Sequence, residues 1–399
     1  MSKKKVLFAV SEWGFGPIST LRVIGDKISD DVDIIFLGKS EHVKNFVRNN
    51  MPYIENIYSD PEEINFNNLH AVINCMDIMT LLYAKKYEIP VYMIDNLYFF
   101  WDWNETDEQH VINIVENESL TIQKRIDQLH GLPDYKGYMS FYILSKHIYL
   151  QCYTNIDKMF LEKYKHKIQF ISPIIKKQKS NSKKKDKVLI SLSGLITPVS
   201  TRLSIHLYMC FVKKIIESLP IKEETICILT TPKETLSVAV QVFSSTGIEV
   251  LAMSQDVFVK NLSESQLLLC PSGFSTTFEA LYYKTGIIFL PEFHDGNIFN
   301  YHAMADFYVE SYSELNRVYP NYHLNTFGDY EYKSIEDINS HYLDLLCNLD
   351  YNETLGKMTE KIIYALDSGQ KLYLNQKQYW EKKYTEFNGE DIIIQRLLS

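Results

Sequence analysis

Paired cysteines are absent from this chain of 399 residues. Cys75, Cys152, Cys210, Cys227, Cys270 and Cys347 stand singly, with no C-x-x-C motif. That pattern indicates neither a zinc site nor a disulfide framework. Several lie in apolar runs, where a thiol behaves as a small core residue. A long hydrophobic run near the start is also lacking. Behind the charged Met1–Lys5, the run Val6–Val10 is too short for a signal-peptide core or a membrane span. A cytoplasmic location without a membrane span is therefore expected. The net charge of −9 argues against nucleic acid as a partner, because neutralising phosphates takes a clustered basic surface. There is no P-loop and no G-x-S-x-G. His294 and His302 have no third ligand in prospect, and Asp31-Val32-Asp33 reads as a turn leading into an apolar run. No metal site and no resident cofactor are expected.

What is present is the mix of a soluble globular protein, 46% hydrophobic and 23% charged. The length favours two domains. In the first half, β-type runs occur at Lys5–Val10, Val32–Leu37, His70–Asn74, Pro90–Ile94, His147–Tyr153 and Gln169–Ile174. Helical patterns separate them. Apolar strands bounded by Gly, Asp and Asn predict a parallel sheet covered on both faces. The basic run Lys176–Lys187 reads as a solvated linker. The pattern then restarts, with strands expected at Val188–Leu192, Thr225–Thr230, Gly247–Met253, Leu267–Pro271 and Gly286–Pro291. After His341 it turns helical. The expected fold is α/β, with two Rossmann-like domains facing a cleft and ligands at the carboxyl ends of the strands. The expected boundaries are 1–175 with a helical insert at about 96–146, a linker at 176–187, a second domain at 188–350, and C-terminal helices at 351–399.

The segment Leu267–Ala303 carries the most chemistry. It reads as strand, Pro-Ser-Gly turn, helix, Gly, strand and polar loop. The helix start offers unpaired N–H groups beside the hydroxyls of Ser272, Ser275, Thr276 and Thr277, which suits an anion. Gly273 allows close backbone approach. Glu279, four residues beyond Ser275, falls on the same helix face and can accept hydrogen bonds from a diol.

This segment resembles the donor-binding signature of UDP-sugar glycosyltransferases of the GT-B type. It is most similar to the bacterial lipid-II N-acetylglucosaminyltransferases and the related glycosyltransferase 1 group. Ser272, Gly273, Thr276, Glu279, Gly286, Pro291 and His294 stand at that signature's spacings. The resemblance implies a metal-independent, inverting transfer, with a C-terminal helix returning toward the first domain. It implies that Ser272, Gly273 and Thr276, with Ser275, hold a diphosphate and that Glu279 holds the ribose. Ser193-Gly194 matches a second phosphate-facing loop more weakly, and Met253 stands where uracil meets backbone. Beyond His294, itself a donor-side residue of the signature, the usual acidic residue and Gln are replaced by Gly296, Ile298 and Phe299, with Asn297 and Asn300 as nearby substitutes and Asn297 an expected donor contact. The sugar is thereby left open. The resemblance covers Val188–Ala303 by motif and the first half by architecture only.

In the first half, Glu12-Trp13-Gly14-Phe15-Gly16-Pro17 follows the first strand. Gly14, Phe15 and Gly16 suit a loop lying against an acceptor, although a bare G-x-G is weak. Pro17 stands near the position where many relatives carry a His base. Glu12 and Asp95 are the candidate bases, with Asp77 a third, each competing with a role as cap or turn residue. Trp101 and Trp103 suit stacking on a flat acceptor, or packing in a core. The aromatic-Gly pattern loosely resembles cytosylglucuronate synthases, which points to a nucleobase acceptor. The expected partners are a nucleotide-sugar donor, a UDP-sugar foremost, and a small-molecule acceptor. A sugar-nucleotide 2-epimerase and a non-catalytic sugar-nucleotide-binding protein share the same features. The sequence leaves the oligomeric state open.

Overall fold

The computed structural model describes residues 3–297 and 300, apart from 13, 99–100, 102, 152–158, 179–183, 198–199, 220–224 and 295. It also describes scattered positions between 339 and 363, residues 370–381 and residues 386–399. His302 and Cys152 lie outside the described residues. The chain divides into two compact units: Met1–Ile175 with Phe327–Asp329 and Glu386–Ser399, and Lys176–Thr326 with Tyr330–Thr385.

The first unit is built on seven parallel strands: β1 (Lys4–Val10), β2 (Val32–Leu37), β3 (Ile57–Tyr58), β4 (Ala71–Cys75), β5 (Val91–Asp95), β6 (His147–Gln151) and β7 (Ile168–Ile171). Their order is β3-β2-β1-β4-β5-β6-β7. Val6 through Val10 are all buried, as a strand covered on both faces requires. Helices α1 (Gly16–Ile28), α2 (Glu41–Asn50) and α3 (Met79–Lys86) follow β1, β2 and β4. In α1, Pro17 sits in the first turn, where its missing N–H costs nothing, and Ile18, Leu21, Ile24 and Ile28 face the core.

Between β5 and β6 lie α4 (Glu105–Val115), α5 (Ile122–His130) and α6 (Met139–Leu144). A reciprocal Asn104–Asp107 capping box starts α4. The expected helical insert is thus a packed layer. Helix α7 (Met159–Tyr164) leads into β7.

The second unit holds β8 (Lys185–Ser191), β9 (Ile226–Thr230), β10 (Glu249–Leu251), β11 (Ser265–Cys270) and β12 (Gly286–Phe289). All are parallel, in the order β10-β9-β8-β11-β12. Helices α8 (Arg202–Glu217), α9 (Leu236–Phe243), α10 (Gln255–Glu264) and α11 (Phe274–Tyr282) connect them, and α12 (Gln370–Glu381) packs on β12. The last helix, α13 (Gly389–Leu398), belongs to the first unit and contacts α1.

The basic run read as a solvated linker departs from that reading at its end. Lys185–Lys187 open β8, and Lys187 is buried with its ammonium on Asn261 Oδ1 at 2.6 Å. Lys184 donates to Thr285 Oγ1 at 2.6 Å and to the carbonyls of Leu262 and Ser265. Long apolar stems let lysines line a strand while their heads find acceptors. Residues 179–183 of the run lie outside the described residues.

Candidate functional site

In the second unit, strand order reverses between β8 and β11. Successive strands run to one side from β8 and to the other from β11. Ile190 pairs with Leu269, so the loops leaving these strands emerge side by side. Open parallel sheets bind ligands at this switch point, where flanking loops diverge and leave a crevice. The loop after β8 contains Ser193-Gly194, and the loop after β11 contains Pro271-Ser272-Gly273. Sequence reasoning had named both.

The glycines there have no internal reason to be glycine. A Cβ built on Gly194 meets no atom within 4 Å, and one on Gly273 meets only the Pro271 carbonyl, at 3.9 Å. Neither has a positive φ. Both leave open space beside the backbone among the described residues. Gly273 is also the N-cap of α11 and carries no side chain to cap it. The first helical hydrogen bond runs from Thr277 N to Gly273 O at 3.0 Å. The amides of Phe274, Ser275 and Thr276 therefore precede the helix ladder, at its positive end. Ser275 and Thr276 are half-buried, and Ser193 Oγ lies 3.0 Å from Ser191 Oγ. Thr277 is fully buried, and its Oγ1 has no hydrogen-bond partner among the described residues.

Two expected donor contacts, Ser272 and Asn297, bind each other. Ser272 is 2% exposed, and its hydroxyl donates to the Asn297 carbonyl. Asn297 is 6% exposed; its Nδ2 donates to Ser272 O at 2.9 Å, and its Oδ1 accepts from Phe293 N at 3.1 Å and His294 N at 3.3 Å. Their side chains tie two loops together, because burial obliges each polar atom to find a partner. Glu279 is also buried, at 4% exposure, and accepts a long hydrogen bond from Gln255 Nε2 at 3.4 Å. Gln255 opens α10, directly after Met253 and the N-cap Ser254. Met253 is half-buried, with its Sδ 3.7 Å from Asn261 Nδ2. The start of α10, two residues after Met253, is thus brought against the middle of α11. Gln255 was not among the sequence candidates, since a lone Gln at a helix start carries no signal.

His294 closes a tight turn, with Asn297 N donating to His294 O at 2.9 Å. Its ring covers Gly296, where a Cβ would lie 2.8 Å from Cε1. Its buried Nδ1 has no partner among the described residues, and burial lowers the pKa to about 4. Glu292, just before it, is buried, and its pKa rises to about 7.

In the first unit, the loop after β1 holds Glu12, half-buried, with its carbonyl accepting from Gly14 N at 3.1 Å. Gly14 has φ +60°, a left-handed turn that suits glycine. Phe15, the residue before Gly16, packs edge-on against His42 at 5.8 Å and against Phe46 at 5.7 Å. Trp13 lies outside the described residues.

Asp95 is engaged within the unit. It is fully buried, and its carboxylate accepts from Trp101 Nε1 at 2.9 Å, Tyr142 OH at 2.7 Å and Leu97 N at 2.6 Å. Burial raises its pKa, and these donors offset the rise in part. Trp101 is likewise committed to the interior: it is 2% exposed and stacks on Trp103 at 5.1 Å and 8°. The aromatics of the insert form core, with Trp103 meeting Tyr142 and Phe160. Asp77 caps the turn into α3, accepting from Thr80 N and Oγ1, each at 2.9 Å.

No protein-family profile and no curated protein matches the chain. Solved structures do. Phytolacca americana UGT2, complexed with UDP-2fluoro-glucose and pterostilbene, is similar over 100% of this chain and 99% of its own, at 10% identity and a TM-score of 0.53. The glycotransferase of kitacinnamycin is similar over 94% of this chain and 100% of its own, at 10% identity and a TM-score of 0.50.

The chain has the GT-B fold.

The two parallel sheets with interleaved helices, and the return of α13 to the first unit, are the features by which the GT-B expectation is met. Among the described residues, no helix is long and apolar enough to cross a membrane.

Proposed function

We propose that this protein is a glycosyltransferase that takes a sugar from a nucleoside-diphosphate sugar, a UDP-sugar foremost, and gives it to a small-molecule acceptor. The observation that carries this reading is the pair of glycines, Gly194 and Gly273, whose missing side chains leave backbone open at the switch point of the second unit. A diphosphate there meets the first-turn amides of α11 and the hydroxyls of Ser275 and Thr276. The helix N-terminus and these donors stabilise the charge that grows on the leaving diphosphate without a metal. The base lies against Met253, and the ribose diol on Glu279. P. americana UGT2, which shares the fold, was solved with UDP-2fluoro-glucose, and this supports a uridine donor.

The acceptor falls to the first unit, at the carboxyl ends of its strands. Glu12 takes the acceptor proton as the oxygen or nitrogen attacks the anomeric carbon, giving inversion. It is the remaining carboxylate of the three named, because Asp95 and Asp77 are buried and engaged within the unit.

Thermal unfolding against UDP, dTDP and GDP and their sugar conjugates tests the donor assignment. A ligand at 100 times its dissociation constant adds ~2.7 kcal/mol. The expected outcome is a shift with the uridine series. No shift with any nucleotide contradicts the proposal.

A further inference from the structure

The loops after β11 and β12 are joined by a clasp centred on Asn297. Each polar atom of that residue is engaged. Its amide N–H donates to His294 O at 2.9 Å, and its carbonyl accepts from the Ser272 hydroxyl. Its Oδ1 takes the amides of Phe293 and His294, and its Nδ2 reaches Ser272 O at 2.9 Å. Asn300 Nδ2 adds a second donor to the same Ser272 oxygen, at 3.0 Å. The partner in each cross-loop bond is Ser272, the residue before the uncapped N-cap Gly273 of α11. On α11 itself the turn is held by the Thr277 N–Gly273 O bond and by no capping side chain. The conformation of the turn is therefore set in part from the neighbouring loop.

We propose that Asn297 is a positioning residue for the diphosphate of the donor, acting through Ser272, and is not a contact to the sugar. The inference rests on the donor reading above. Asn297 holds Ser272, and Ser272 holds Gly273 where the amides of Phe274, Ser275 and Thr276 converge on one anion. A site of preformed amides gains affinity because the ordering is done before the ligand arrives. Releasing the clasp frees the turn, and the loss then falls on the phosphates. The uridine contacts lie away from the turn, Met253 after β10 and Glu279 in the body of α11, and are unaffected. The sugar, reached through the diphosphate, loses nothing further of its own.

The experiment measures the affinity of the wild type, Asn297→Ala and Asn300→Ala for uridine, UDP and UDP-glucose. Asn300→Ala removes one of the two amides on Ser272 and keeps a folded protein in the comparison should Asn297→Ala unfold. Asn297→Ala removes the Nδ2 bond to Ser272 and both Oδ1 bonds, keeps the Ser272 hydroxyl on the backbone carbonyl, and is expected to weaken UDP and UDP-glucose by the same factor, about tenfold or ~1.4 kcal/mol. Uridine affinity stays within about twofold. Asn300→Ala shows the same pattern at about threefold. Loss confined to UDP-glucose, with UDP unchanged, makes Asn297 a sugar contact and overturns the inference alone. An equal loss for all three ligands means general damage and also overturns it. A wild type that binds none of the three overturns the donor reading, and the inference with it.

Discussion

At the scale of single residues, one carboxylate is proposed for chemistry and two others are committed to architecture. Glu12→Gln is expected to lower kcat for transfer by ~10²–10⁴-fold while leaving UDP affinity unchanged, because a general base acts on the acceptor in the transition state. Steady-state kinetics beside a UDP titration checks this. Asp95→Asn is expected to behave in the opposite way. It turns an acceptor of three hydrogen bonds into a group with a donor facing donors, at a cost of about 1–3 kcal/mol of stability. Turnover per folded molecule is retained. Thermal unfolding with active-site titration separates the two effects.

The loop after β12 predicts a dependence on pH. Glu292 has its pKa raised from 4.5 to about 7 by burial. Between these values the folded protein holds a proton that the unfolded chain has released, so this group adds stability as pH falls and opposes folding above pH 7. His294 has its pKa lowered from 6.5 to about 4. In that window the unfolded chain binds the extra proton, so this group removes stability as pH falls. Glu292→Gln should therefore raise the Tm at pH 8, with the gain closing toward pH 4.5. His294→Gln should flatten the loss of stability between pH 6.5 and pH 4. Tm measured against pH for both variants decides this, and parallel curves would sink it.

At the scale of elements, strands were legible because a parallel strand buried on both faces reads as an unbroken apolar run. Val6–Val10, ended by Ser11, and Leu267–Cys270, ended by Pro271-Ser272-Gly273, are such runs and are buried. The two-residue β3 left no such run. Contacts between distant segments were not legible either. Ser272 and Asn297 stand in one motif, and only the packed loops show that they bind each other. Asp95 ends a strand in the manner of a catalytic acid, and only the folded insert reveals Trp101 and Tyr142 around it. Gln376 of α12 is a further case. Its amide accepts from Ile287 N at 3.0 Å and donates to Ile287 O at 2.7 Å, completing the outer hydrogen bonds of the edge strand β12. Gln376→Leu leaves both backbone groups buried and unpaired, and should cost about 2–4 kcal/mol. Gly389 starts α13 with its Cα so near the Ser172 carbonyl that a Cβ would lie 1.9 Å from the oxygen. Gly389→Ala should therefore loosen α13 from the first unit, read as faster amide exchange across 389–398 in the variant.

At the scale of the whole molecule, two α/β units of like construction share one chain, and α13 returns to the unit in which the chain began. Each sheet has a switch point, beside β1 in the first and beside β8 in the second. The central claim is that backbone left bare by Gly194 and Gly273 is there for a diphosphate. Gly194→Val and Gly273→Ala put side chains into space that no described part of the unit crowds. The most direct test is the dissociation constant for UDP of both variants beside their Tm. Tm within a few degrees of the wild type is expected, with UDP affinity reduced at least about tenfold, ~1.4 kcal/mol. Unchanged UDP affinity with unchanged Tm would contradict it, because the open glycines would then face nothing that the nucleotide uses.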